Sequence, residues 1–136
     1  MLVKDLMSRF AISVEMDDTL AEVKKIFDSV SFHHLLVVEK GKLFGVLSDR
    51  DLLKALGPTI GTLAETEKDL ATLQKKVHHV MTRKPVSLPA DADIYTAIAL
   101  FNENKISCIP IVEKDKPVGI LSWRDLIRFL GSLKRD

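Results

Sequence analysis

Apolar positions along this chain recur with two different periods, and the order in which the periods alternate is itself repeated. A short apolar stretch, "AISV" at Ala11–Val14, is followed by a turn at Asp17-Asp18-Thr19. Leu20, Val23, Ile26, Phe27 and Val30 then fall three and four residues apart, the spacing of one helix face. Strand-like sequence returns as "LLVVE" at Leu35–Glu39, turns at Lys40–Lys42, runs on as "LFGVLS" and passes into the helical "DRDLLKAL". The same succession follows from "PVSL" at Pro85–Leu88. It continues through Asp91-Ala92-Asp93, the helical set Ile94, Ala97, Ile98 and Phe101, and "IPIVE" at Ile109–Glu113. A charged turn at Lys114–Lys116, then "PVGILS" and "WRDLIRFL", complete it. The order is β-α-β-β-α, twice. The turns Asp17-Asp18-Thr19 and Asp91-Ala92-Asp93 are rich in aspartate, which can cap the helix that follows. Nearly continuous apolar strands predict sheets covered by helices, an α/β (α+β) fold.

The two halves superpose without a gap. Residues 3–57 lie over 77–131 at a constant spacing of 74. Val3 meets Val77, Met7 meets Met81, Asp17 meets Asp91 and Phe27 meets Phe101. "GVLSDRD" at Gly45–Asp51 meets "GILSWRD" at Gly119–Asp125. Two copies predict a pseudo-symmetric pair rather than a solenoid. The expected division is repeat one at 1–57, a linker at 58–76 and repeat two at 77–136. Gly57-Pro58 closes a helix. "TLAETEKDLATLQKKVHHVM" then reads as one helix, with Leu63, Leu70 and Val77 seven apart and Leu73 between the last two. Thr62 would cap it, with Glu65 as capping-box partner. Its apolar stripe would pack on the repeats or meet another subunit.

Composition narrows the function. The chain has 136 residues, 46% of them hydrophobic and 29% charged, with a net charge of +1. That is globular composition with no electrostatic case for nucleic acid or an anionic membrane as partner. A half of about 60 residues would be marginal alone, so the halves should depend on each other. Cys108 is the only cysteine, which excludes an intramolecular disulfide and a Cys-rich zinc site. "MLVKDLMSRF" carries Asp5 and lacks a long apolar core, so it does not read as a signal peptide, and no apolar run is long enough for a membrane span. A soluble, cytoplasmic protein is expected. The histidines form two doublets, His33-His34 and His78-His79, poorly spaced for chelation on strand or helix, and no metal site is expected. "HHVMTRK" reads as a mildly basic solvated surface. No phosphate-loop or dinucleotide-binding fingerprint occurs, and neither repeat gathers a nucleophile with a base; no catalytic residue is expected, and the chain reads as no enzyme.

The doubled Ser-x-x-Asp admits two readings. Ser48 and Ser122 can be helix N-caps, with Asp51 and Asp125 at the capping-box position. The same geometry suits a nucleotide. A helix N-terminus presents free N–H groups to phosphate, and a carboxylate accepts from the two ribose hydroxyls. Arg50 and Arg124 add guanidinium forks. Gly45 and Gly119, in the preceding strands, permit close approach of backbone or ligand. Trp123, where repeat one has Asp49, is expected in the core, at an interface or over the ligand's mouth.

With these motifs and the "DLM" and "VMTRKP" openings, nearly the whole chain resembles a tandem CBS-domain pair, or Bateman module. The linker is similar to that of stand-alone, acetoin-utilisation-type CBS proteins. The resemblance implies a regulatory ligand-sensing module, commonly a homodimer, that binds AMP, ADP, ATP or a related adenosyl ligand in two clefts and signals to a protein partner. It implies no required cofactor. A constitutive interaction scaffold is the alternative. Carried over by position, the first cleft would use Ser8, Ala11, Ile12, His33, His34, Ser48, Arg50 and Asp51, with Lys105 reaching across from the other repeat. The second would use Thr82, Pro85, Val86, Ser107, Cys108, Ser122, Arg124 and Asp125, with uncharged Ser31 as the counterpart of Lys105. The first cleft is therefore expected to prefer the more highly phosphorylated ligand.

Overall fold

The computed structural model describes residues 1–133. The chain forms two compact units, each discontinuous in sequence. One contains Ile12–Lys40 and Phe44–Lys84. The other contains Met1–Ala11, Gly41–Leu43 and the described chain from Pro85 onward. Each repeat body is thus packed with the leading segment of the opposite repeat.

The strands β1 (Ser13–Val14), β2 (His34–Glu39), β3 (Lys42–Ser48, of which the first unit holds the part from Phe44) and β4 (Thr82–Arg83) form a sheet in that order. β1 runs parallel to β2, with Val14 opposite Val37. β4 runs antiparallel to β3, with Thr82 opposite Val46. Helix α1 (Leu20–Ser29) begins in the expected turn, but its cap is Thr19, whose hydroxyl accepts the Glu22 N–H, rather than an aspartate. Helix α2 (Asp49–Ala55) follows β3 directly. Lys40 and Gly41 both have positive φ, the primed turn that suits the twist of a two-residue β-hairpin. Leu20, Val23, Leu35, Val37, Leu47 and Val77 are buried together in the core.

The second unit repeats this plan with less sheet. After helix α4 (Ile94–Glu103), β5 (Cys108–Glu113) pairs antiparallel with β6 (Lys116–Ser122), and β6 runs into α5 (Trp123–Ser132). Asp93 caps α4 through the Tyr95 N–H. The strand expected at Pro85–Leu88 shrinks to one parallel bridge, Leu88 to Ile111. Proline explains it. Leu36 donates its N–H to the Ile12 carbonyl at 3.0 Å. Its counterpart in the second repeat is Pro110, which has no N–H to give. Val3, Ile94, Ala97, Ile109, Ile111 and Leu121 form this core.

The exchange of leading segments is seen in paired hydrogen bonds. Leu20 N–H donates to the Lys75 carbonyl at 2.9 Å, and its counterpart Ile94 donates to Met1 at 3.0 Å. Val77 donates to Asp18 at 2.9 Å, and Val3 to Ala92 at 2.8 Å. Both leading segments are single 3₁₀ turns, Val3–Asp5 and Val77–His79, and both bury their valine completely.

The linker departs from the expected long helix. Its helix, α3 (Glu67–Thr72), is six residues long; its cap is Thr66, not Thr62, and the capping-box partner is Asp69, not Glu65. Leu63 is fully exposed, so no continuous apolar stripe exists. The helix ends because the carbonyls of Leu73 and Lys75 are taken by the N–H groups of Ala21 and Leu20 at the start of α1. Tertiary bonding there overrides local helix preference. Asp69 is buried, accepting from the Thr66 N–H and the Thr59 hydroxyl.

Candidate functional site

Both Ser-x-x-Asp motifs close complete capping boxes. Ser48 Oγ accepts the Asp51 N–H at 3.0 Å, and Asp51 Oδ2 accepts the Ser48 N–H at 2.9 Å. At the second motif the corresponding distances are 3.2 Å and 2.8 Å, between Ser122 and Asp125. The capping role is therefore real in both repeats. It holds each carboxylate, half-buried, at the first turn of α2 or α5. Arg50 and Arg124 lie one residue earlier, exposed.

The glycines before the motifs serve the backbone. A Cβ on Gly45 would stand 2.6 Å from Met81 Sδ and 2.8 Å from the Thr82 carbonyl oxygen. A Cβ on Gly119 would meet Met7 Sδ at 2.7 Å and the Ser8 carbonyl oxygen at 2.8 Å. Each glycine admits the exchanged segment against the strand that carries the motif. Of the two approaches expected from sequence, the structure shows that of backbone.

The exchange regroups the residues assigned by position. Ser8 and Ala11 belong to the unit of the second motif, where the Ser8 N–H bonds to the Ile120 carbonyl of β6 at 2.9 Å. Thr82 belongs to the unit of the first, beside Val46 of β3. Ile12, His33, His34, Ser48, Arg50 and Asp51 share the first unit. Pro85, Val86, Ser107, Cys108, Ser122, Arg124 and Asp125 share the second, as does Lys105, exposed in the loop before β5. Ser31 lies in the first unit, exposed after α1. Cys108 is buried at the start of β5.

The entrances to the two motifs differ. Asp49 donates its N–H to the His33 carbonyl at 3.0 Å, and its carboxylate meets His33 Nδ1 at 2.8 Å. The counterpart backbone bond, Trp123 to Ser107, is present at 3.3 Å, between residues that carry neither an imidazole nor a carboxylate. Trp123 is not a core residue: it is 44% exposed, with the Arg124 guanidinium 5.4 Å from its ring. Beside it on α5, Ile127 and Leu130 are also exposed.

Sequence reasoning passed over one feature. Asp51 lines an open groove of about 530 Å³ with Lys54, Ala55, Lys75, His79 and Val80. The register of 74, which sets His79 against Asp5 and, just past its end, Lys75 against Met1, shows that the repeats differ here; that Lys75 and His79 meet Asp51 follows only from the exchanged packing. Among the described residues, no three His, Cys, Asp or Glu side chains converge as metal ligands, and no helix is long and apolar enough to cross a membrane.

A family model for the CBS domain matches residues 3–58 and again residues 77–132. The chain belongs to the CBS-domain family. A CBS domain-containing protein of Dictyostelium discoideum is 30% identical, over 95% of this chain and 90% of its own. An L-aspartate semialdehyde sulfurtransferase of Methanocaldococcus jannaschii is 28% identical over 98% of this chain, which spans only 24% of that enzyme. Among solved structures, a CBS protein in complex with AMP superposes with a TM-score of 0.81 at 26% identity, covering 98% of this chain and 99% of its own. A CBS domain pair in complex with 5'-methylthioadenosine and S-adenosyl-L-methionine gives 0.78 at 28% identity, covering 98% of each chain. A Vibrio cholerae protein assigned to acetoin utilization gives 0.77 at 26% identity, covering 96% of this chain and 90% of its own. The fold is the mixed α/β fold of a tandem CBS pair.

Proposed function

We propose that this CBS pair is a cytoplasmic regulatory module that binds an adenosyl ligand, AMP, ADP, ATP or a close relative, at the Ser-x-x-Asp ends of β3 and β6. The observation that carries the reading is the pair of similar solved structures holding AMP and S-adenosyl-L-methionine, matched over nearly the whole chain. In this reading Asp51 and Asp125 accept from ribose hydroxyls, and the backbone N–H groups of Arg50 and Arg124 serve phosphate, since their neighbours Asp49, Asp51, Trp123 and Asp125 already donate to His33, Ser48, Ser107 and Ser122. Ser48 and Ser122 hold those carboxylates in place, and Arg50 and Arg124 supply charge. Ligand binding signals to a protein partner by favouring one packing state over another, which requires different affinities in the two states.

Calorimetric titration with AMP, ADP, ATP and S-adenosylmethionine tests the proposal, using wild type, Asp51→Asn and Asp125→Asn. Asparagine keeps an oxygen for the cap while removing the charge. Saturable binding, weakened about tenfold or more in one variant with its melting temperature nearly unchanged, supports the reading. Absence of binding to every ligand favours the alternative, a constitutive scaffold, for which the closed capping boxes speak.

We also infer a homodimer, with the exposed apolar face of α5 at Trp123, Ile127 and Leu130 as its contact. A short α3 makes the linker a poorer candidate.

A further inference from the structure

The groove beside Asp51 is lined by cationic side chains, and the second repeat carries different residues at the counterpart positions. Lys54 projects from α2 and is exposed, with no ion-pair partner among the described residues. Lys75 Nζ donates to the Ala55 carbonyl at 3.0 Å, which anchors the ammonium at the end of α2 and leaves two of its protons to donate. His79 is exposed on the exchanged 3₁₀ turn, its ring 4.1 Å from that of His78, and forms no ion pair among the described residues. The single acid of the lining, Asp51, already accepts from the Ser48 N–H. Two ammonium groups and an imidazole therefore face one partly satisfied carboxylate across about 530 Å³.

The counterpart positions are set by the paired hydrogen bonds of Leu20 to Lys75 and of Ile94 to Met1. There Lys75 becomes Met1, His79 becomes Asp5, and the small Ala55 becomes Phe129. Lys54 becomes Arg128, which lies 3.7 Å from Asp125. Asp5 is turned to the Leu2 N–H at 2.9 Å. One repeat thus presents an open cationic groove. The other presents a larger side chain, an added carboxylate and an arginine already next to an acid.

We propose that the groove lined by Asp51, Lys54, Lys75 and His79 receives a phosphate chain, so that the first repeat selects polyphosphorylated ligands and the second does not. For an adenosyl ligand this rests on the reading above: Asp51 would hold the ribose while the β- and γ-phosphates extend along the groove. The two ammonium groups contribute modestly each in so open a site, the His79 imidazole adds a hydrogen-bonding group, and together they favour a triphosphate over a monophosphate by about tenfold at low salt.

The test is calorimetry at low ionic strength with AMP, ATP and inorganic triphosphate, on wild type, Lys54→Met, His79→Gln and Arg128→Met. ATP should bind about tenfold more tightly than AMP, and inorganic triphosphate should bind alone. Lys54→Met and His79→Gln should each lower the preference for ATP several-fold while leaving AMP nearly unchanged; Arg128→Met should not alter it. Equal affinities for AMP and ATP, or a preference untouched by both groove variants, overturns the proposal while leaving an adenosyl site intact. If neither AMP nor ATP binds, inorganic triphosphate decides: binding weakened by Lys54→Met upholds the groove, and no binding overturns it.

Discussion

Gly45 lies so close to Met81 that a Cβ on the glycine would stand 2.6 Å from the methionine sulfur, with the Thr82 carbonyl oxygen only 0.2 Å farther away. The side chain of methionine can yield, but the β4 backbone is held by its pairing with β3. Gly45→Ala should therefore destabilise the protein by about 1–3 kcal/mol, and Gly119→Ala by a similar amount. Urea unfolding of the two single variants checks this; a change below about 0.5 kcal/mol in both would mean that the exchanged segments pack less tightly than the structure shows.

The exchange makes a second statement that the order of the sequence alone would not suggest. Val77, at the head of the second repeat, is completely buried in the core of the first. Val77→Ala should cost about 2 kcal/mol. Amide exchange should accelerate first at Val37 and Leu47 rather than at Ile109 and Leu121. The reverse order is expected for Val3→Ala, because Val3 is buried with Ile109 and Leu121.

Asp69 gives the linker a pH dependence. The Thr59 hydroxyl, with smaller help from Thr66, holds its carboxyl below the ordinary value of 3.8 against the opposing effect of burial. A carboxyl with a lowered folded-state pKa stabilises the fold at pH above its unfolded value, and that stabilisation is lost as pH falls through the folded value. Wild type should lose stability on acidification below about pH 4 more steeply than Asp69→Asn. Parallel urea-midpoint curves for the two proteins would assign acid sensitivity to other groups.

Trp123, Ile127 and Leu130 form the exposed part of an apolar arc on α5, whose Leu126 packs on the core of its own unit. Ile127→Glu should shift the protein from dimer to monomer in light scattering and leave its far-UV spectrum unchanged. A persistent dimer would place the contact elsewhere.

Much of this architecture was legible in the residues because its signals are local. Helical and strand periods, capping boxes and an ungapped register of 74 depend on neighbours a few positions apart or on simple comparison of the halves. They placed α1, α2, α4 and α5, and they identified Ser48, Asp51, Ser122 and Asp125 as caps with carboxylates held at helix starts. What the tertiary structure alone decided involves groups far apart in the chain. The linker helix ends early because α1 needs the carbonyls of Leu73 and Lys75. The first strand of repeat two shortens because Pro110, more than twenty residues away, cannot donate to it. Ser8 and Thr82 change places because the leading segments pack on opposite repeat bodies. Asp51 gains Lys75 and His79 as neighbours for the same reason. Local pattern determines which segments form; hydrogen-bond satisfaction and burial across the chain determine which segments share a unit.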